Sequence, residues 1–398
     1  MAMNIDNPDN RVAKNTFSLF ALGFRPFFLF AALFAPLLIA LWLLQLTGNI
    51  TLSSYYSPAG WHAHEMLFGY TVAVIAGFLL TATGNWTGTK MINGWQLALL
   101  SIVFVLGRFA PFITSLSPQT IAVIDLSFIP LVAVLIAVPI IQAKQWSNFI
   151  FIPLLFAMAA ANLTIHLSSL EIINVSVATG NRAMLYLIMF LIVVMGGRVI
   201  PFFTERGVTG ATTKKWSWIE RLSPVSILLV GVADVIYADK IITAYVALFS
   251  AIIHFVRLAG WYSNKIWNVP LVWILQVAYA WFVVGFIIKG LAIFSIEKSL
   301  FSYHAFTVGG IGVMTLGMMA RVSLGHTGRK MILNNAMILS FVLINISAVV
   351  RVILPIFIPL HYLQLIEYAG WLWVLAFAIY LVVYFPMWIC PRIDGRPG

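Results

Sequence analysis

Apolar runs broken by short polar, glycine- or proline-containing stretches recur along the whole chain. About twenty apolar residues suffice to cross the hydrocarbon core of a bilayer as a helix. The pattern predicts twelve such helices, over 26–46, 64–82, 94–113, 120–141, 149–167, 183–203, 222–238, 241–259, 268–290, 303–323, 332–354 and 364–388. The expected fold class is therefore an all-α polytopic integral membrane protein. Pro26 suits a helix start, where a missing N–H costs nothing. The turn at Asp239-Lys240 is short enough that 222–259 also reads as one broken element. The polar connection 204–221 carries Glu205, Arg206, Lys214, Lys215, Glu220 and Arg221. It divides a transmembrane domain at 18–390 into halves 18–203 and 222–390, with tails at 1–17 and 391–398. No convincing sequence repeat links the halves.

Composition agrees with the pattern. Hydrophobic residues make up 62% of the chain and charged residues 9%, with a mean hydropathy of +1.00. A soluble chain carries about a quarter charged residues. The net charge of +11 needs no nucleic acid to explain it, and no nucleic-acid motif is present. With the N-terminus inside, only Arg108, Arg182, Lys240, Lys289, Lys298 and Arg351 of the 23 Lys and Arg face outwards. That asymmetry follows the positive-inside rule and places both termini in the cytoplasm. The single cysteine, Cys390, excludes an intramolecular disulfide and a cysteine-held iron–sulfur cluster. The polar first fifteen residues or so lack the features of a cleaved signal, so the first apolar segment is expected to stay as a helix.

This orientation brings five of the 7 histidines to the outer face. His62 and His64 open the second span, His166 closes the fifth, His304 opens the tenth and His361 precedes the twelfth. His254 and His326 lie towards the cytoplasm. Imidazole suits copper, iron and zinc, and such sites gather ligands from distant segments. On a regular helix His62 and His64 point about 200° apart, so one ion need not take both; in an extended stretch they would share a face. Hydrogen bonding at the membrane interface is the competing reading for each histidine. Glu65 either complements the helix dipole or orients a histidine and relays a proton.

The stretch Tyr303–Lys330 is a second concentration of chemistry. Gly309, Gly310, Gly312 and Gly317 provide either close helix packing or room beside a flat cofactor. Met314, Met318 and Met319 read first as packing. Arg321, His326 and Arg329 mark the inner end, suited to a haem propionate or a lipid phosphate. Asn85, Asn162, Asp125, Glu171, Asp234 and His254 are further buried polar candidates, with Asp125 and Asp234 costly if deep. Arg198 and Arg257 are expected to snorkel inwards.

Four blocks together carry a family resemblance: LFALGFRPFFLFAAL at Leu19–Leu33, WHAHEMLFGYTVAVIAGFLLTATGNWTG at Trp61–Gly88, GGRVIPFFTERG at Gly196–Gly207 and HAFTVGGIGVMTLGMMARVSLGHTGR at His304–Arg329. Over approximately 17–390 the chain resembles the NnrS family, bacterial haem- and copper-containing membrane proteins linked to nitric oxide stress. The family-pattern residues His62, His64, Glu65, His304, Arg321, His326 and Arg329 are present; Gly84 stands where a bulkier residue is expected. The resemblance implies a multi-pass protein of the bacterial inner membrane that binds haem and copper. It implies a role in nitrosative stress, handling NO or protecting metal centres. Redox turnover there would need a membrane or periplasmic electron donor. Two other readings stay open: a transporter of a metal, haem or small anion, and a non-catalytic NO sensor or metal-protection protein.

Overall fold

The computed structural model describes residues 16–238, 240–294 and 298–396; the tail expected before residue 16 and Asp239 lie outside the described residues. Regular structure among the described residues is helical throughout. The helices are α1 Phe24–Leu46, α2 Pro58–His64, α3 Val72–Thr87, α4 Trp95–Phe109, α5 Pro118–Gln142, α6 Phe151–Ser169, α7 Val177–Gly207 and α8 Ser217–Ile236. They continue with α9 Ile241–Trp261, α10 Pro270–Leu291, α11 Lys298–His304, α12 Val313–His326, α13 Asn335–Ala348, α14 Leu354–Phe357 and α15 Tyr362–Ile389. Among the described residues, eleven continuous helical stretches are long and apolar enough to cross a membrane. α8, the seventh predicted span, is not among them; it carries Glu220, Arg221 and Asp234, which lower its apolar character. α8 and α9 are separate helices, not one broken element.

Two differences from the expected boundaries have local causes. The second span begins at Pro58, because Ser57 accepts a hydrogen bond from the Gly60 N–H at 3.3 Å and Pro58 sits at the first helical position. The polar connection 204–221 shrinks to 208–216, because α7 runs to Gly207 and α8 starts at Ser217. Glu220 is helical and pairs with Arg257, which is buried by this contact and does not snorkel. A charged helix end met by a partner helix looks like a loop in sequence.

The chain divides into two compact units, Met1–Asn174 with Met319–Ile332 and Phe377–Gly398, and Val175–Met318 with Leu333–Ala376. In the first unit α1, α4 and α5 meet through Phe27, Phe104 and Phe128, with ring centroids 4.9 to 5.9 Å apart. Arg25, fully buried, closes the end of α15: its Nη1 donates to the carbonyls of Met387, Trp388 and Cys390. The last carbonyls of a helix have no partner within it and carry partial negative charge, so a guanidinium there satisfies both needs.

In the second unit Gly309, Gly310 and Gly312 are packed against this chain's own rings, and Gly317 against Ile274 and Leu275. A Cβ on Gly309 would collide with Trp281, one on Gly310 with Phe282 and one on Gly312 with Trp373. Met314 is buried among side chains as well.

Two helices share one construction, one beginning in each unit. A short α-helix ends at His64 or His304, a π-helical stretch follows over Glu65–Thr71 or Ala305–Gly312, and an α-helix completes the crossing. Without a gap, His64, Gly69, Gly77, Thr87, Gly88 and Lys90 match His304, Gly309, Gly317, Thr327, Gly328 and Lys330. Gly88 and Gly328 both have positive φ, 67° and 75°, where the helix ends. The two stretches thus share a local construction and these six positions.

Replacing Gly309 by Val should overpack this contact and cost about 1–3 kcal/mol. A lowered thermal midpoint of the detergent-solubilised protein checks this; an unchanged midpoint contradicts it.

Candidate metal centre

Three elements of the first unit carry buried polar groups to one place. The Ser57-Pro58 start sets α2, which ends at His64, and a matching Ser117-Pro118 start sets α5, where Ser117 accepts from the Thr120 N–H at 3.1 Å. Asp125 lies two turns inside α5, and Asn162 and His166 lie on α6. His64, Asp125 and His166 each offer one ligand atom, and these atoms lie within 4.8 Å of one another. All three residues are at most 2% exposed.

The hydrogen bonds define the electrostatics. His64 Nδ1 lies 3.1 Å from Glu65 Oε1, which also accepts from Arg108 Nη1 at 2.8 Å. Arg108 Nη2 pairs with Asp125 Oδ1. The other oxygen, Asp125 Oδ2, lies 3.0 Å from His166 Nε2 and 3.2 Å from His64 Nε2, and accepts from Asn162 Nδ2 at 2.8 Å. That last bond fixes the Asn162 amide, whose Oδ1 then lies 3.0 Å from His64 Nε2. The Tyr56 hydroxyl is 3.2 Å from the same nitrogen, and burial pushes this phenol well above its ordinary pKa, so it stays a donor.

A neutral imidazole has one N–H and one lone pair. Whichever nitrogen of His64 holds the proton, the other presents its lone pair to carboxylate oxygen. With Nδ1–H donated to Glu65, Nε2 faces both Asp125 Oδ2 and Asn162 Oδ1. The Tyr56 O–H can fill that lone pair, and a metal ion or a second proton placed there would also bind the facing oxygens. Charge counting agrees, since Glu65 and Asp125 are both buried beside one guanidinium, leaving a negative excess in a low-dielectric setting.

The backbone is shaped around this cluster. Thr71 Oγ1 bonds the Met66 carbonyl at 2.8 Å within the π-helical stretch after His64. Such stretches often occur at functional sites. A Cβ on Gly69 would lie 2.8 Å from Glu65 Oε2 and 3.4 Å from Arg108 Cδ, so glycine leaves the space the ion pair occupies.

The other sequence candidates fall as follows. His62 lies on the same regular helix as His64 and stacks on Trp42, ring centroids 4.7 Å apart. The helix sends it away from the trio, and the extended alternative does not apply. Arg321, His326 and Arg329 lie in one stretch of the first unit, where the His326 ring is 5.6 Å from Phe24 and its carbonyl accepts from Arg392 at 3.0 Å. His304 belongs to the second unit, its Nε2 3.0 Å from Arg351 Nη2. His361 is exposed in the turn before α15. Asn85 and Glu171 are exposed rather than buried, being at helix ends; Asn162, Asp125, Asp234 and His254 are buried. Asp234 pairs with Lys289 and accepts from Tyr186 and Tyr303. Arg108 and Tyr56 were not among the sequence candidates. A cation placed inside a span needs an anionic partner, and that signal could have found Arg108.

These features define a polytopic helical membrane protein with a buried histidine–carboxylate centre. The family model described as NnrS protein matches residues 18–392, and the chain belongs to the NnrS family. A search of curated proteins finds no match.

Replacing Arg108 by Met strands two buried carboxylates and should cost about 3–5 kcal/mol. Adding Glu65→Gln should recover part of that loss. Unfolding of both variants in detergent is the measurement, and a neutral R108M would contradict the pairing.

Proposed function

We propose that this chain is a metal-binding membrane protein of the nitric oxide response, in which His64, Asp125 and His166 hold one metal ion. The observation behind this reading is the convergence of the buried His64 and His166 imidazoles on Asp125 Oδ2, with the three ligand atoms within 4.8 Å of one another. Two imidazoles and a carboxylate suit a first-row transition metal, and the family resemblance makes copper the choice. Glu65, on the far nitrogen of His64, would fix the tautomer and raise ligand basicity, as carboxylates behind metal-bound histidines do. It is also the residue we assign to proton relay. Tyr56 donates into the site, and the apolar helices around it exclude water.

The trio gathers too tightly for a porphyrin. Haem is assigned instead to the inner end of the first unit, where His326 would offer an imidazole and Arg321 and Arg329 would hold the propionates. Arg25 and Arg392 add to the cationic character of that inner end, which fits an anionic group. Copper and haem iron, when bound, supply one-electron chemistry and a seat for NO. His361, exposed in its turn, would serve only as an outer ligand. Positive-inside asymmetry supports cytoplasmic termini in a bacterial inner membrane.

A second reading, ion transport, draws on the buried Asp234–Lys289 pair, because intramembrane ionisable pairs mark ion pathways. Metal analysis separates the two readings.

Purified protein should contain stoichiometric metal by mass spectrometry. His64→Ala, Asp125→Asn and His166→Ala should each lose most of it, and Glu65→Gln should weaken binding by roughly tenfold or more. Metal-free, folded wild-type protein would leave the protonated imidazole as the site's cation and sink the metal reading.

A further inference from the structure

The shared construction gives His304 the place that His64 has in the first stretch, yet its surroundings differ in one decisive respect. After His64 comes Glu65; after His304 comes Ala305. After each stretch the next spanning helix brings an arginine near its far end, Arg108 in α4 and Arg351 in the π-helical stretch Val349–Ile353. Arg108 meets two carboxylates. Arg351 meets none within ion-pair distance among the described residues.

What Arg351 does touch is neutral. Its Nη2 lies 3.0 Å from His304 Nε2, and its side chain also hydrogen-bonds Tyr362, whose ring centroid is 5.7 Å from the guanidinium carbon. Its Nη1 is buried and has no hydrogen-bond partner among the described residues. His304 Nδ1 lies 3.0 Å from the Leu300 carbonyl one helical turn back, which assigns the proton to Nδ1 and the lone pair to Nε2. Around the pair, Phe301, Ala305, Ala348 and Val352 form a buried apolar cluster, with Tyr362 packed against it. An uncompensated cation in such surroundings is costly, and an imidazole lone pair does not neutralise it.

We propose that Arg351, beside His304, is the binding site for a small planar oxyanion. The two terminal nitrogens of a guanidinium form a fork that matches two coplanar oxygens. An anion seated there engages Nη1, takes Nη2 from the imidazole and supplies a negative charge that none of the described residues brings within ion-pair distance. Arg108 is neutralised by Glu65, the residue after His64, whereas Ala305 after His304 brings Arg351 no such charge. The site requires no metal, so it stands apart from the proposed function.

The test is calorimetric titration of the purified, detergent-solubilised protein with sodium nitrate and with sodium formate in chloride-free buffer. The expected result is saturable binding in the wild type, weakened roughly tenfold or more in Arg351→Gln. Preference for nitrate identifies an inorganic anion and preference for formate a carboxylate; either sustains the site. Should Arg351→Gln fail to fold, Arg351→Lys keeps the charge and loses the fork, and its binding should be severalfold weaker. No binding by the wild type, equal affinity in a folded arginine variant, or binding that follows metal content instead of Arg351 would overturn the proposal.

Discussion

Arg108, clamped between Glu65 and Asp125, is the interaction on which the first unit's polar interior depends. A single carboxylate deep among apolar helices has neither water nor counter-charge and is expensive to keep ionised. Bridging two of them with one guanidinium draws the start of the second span, the end of α4 and the start of α5 together. It also fixes Glu65 against His64 and Asp125 against His166. Because a buried pair of this kind offers little net stability compared with an apolar replacement, its presence points towards use. The remaining negative excess falls beside His64 Nε2.

The two His-headed helices show how one construction supports different chemistry. Each ends its first turns at a histidine, passes through a π-helical stretch and stops at a glycine with positive φ. In the first the residue after the histidine is an acid; in the second it is alanine, and the polar side chain reaching the histidine is an arginine. In both, glycines let bulky groups approach the backbone: the Glu65–Arg108 pair over Gly69, Trp281 over Gly309. A side chain at either position would push that neighbour away.

Much of the fold was legible because lipid leaves few solutions: apolar runs of sufficient length become helices, and α1, α4, α5 and α10 begin and end close to where the pattern placed them. Boundaries were misread where a polar residue has a helical role. Ser57 caps α2, and Glu220 is helical because Arg257 neutralises it. The histidines were legible as chemistry, while their grouping was not. His64, Asp125 and His166 are far apart in the chain, and only the packing of α2, α5 and α6 selects His166 and leaves His361 in an exposed turn. Arg108 was counted for membrane orientation, a role that hid its pairing. The shared construction of the two His-headed helices is not visible in the apolar pattern, because they have glycines and end residues in common but few of the apolar positions between them.

X-ray absorption at the metal edge of the purified protein tests the central claim most directly. The expected result is a first shell of nitrogen and oxygen with the outer scattering of two imidazoles, lost when His166 is replaced by Ala. A sulfur shell, a spectrum explained wholly by a tetrapyrrole, or a first shell indifferent to His166 would contradict it.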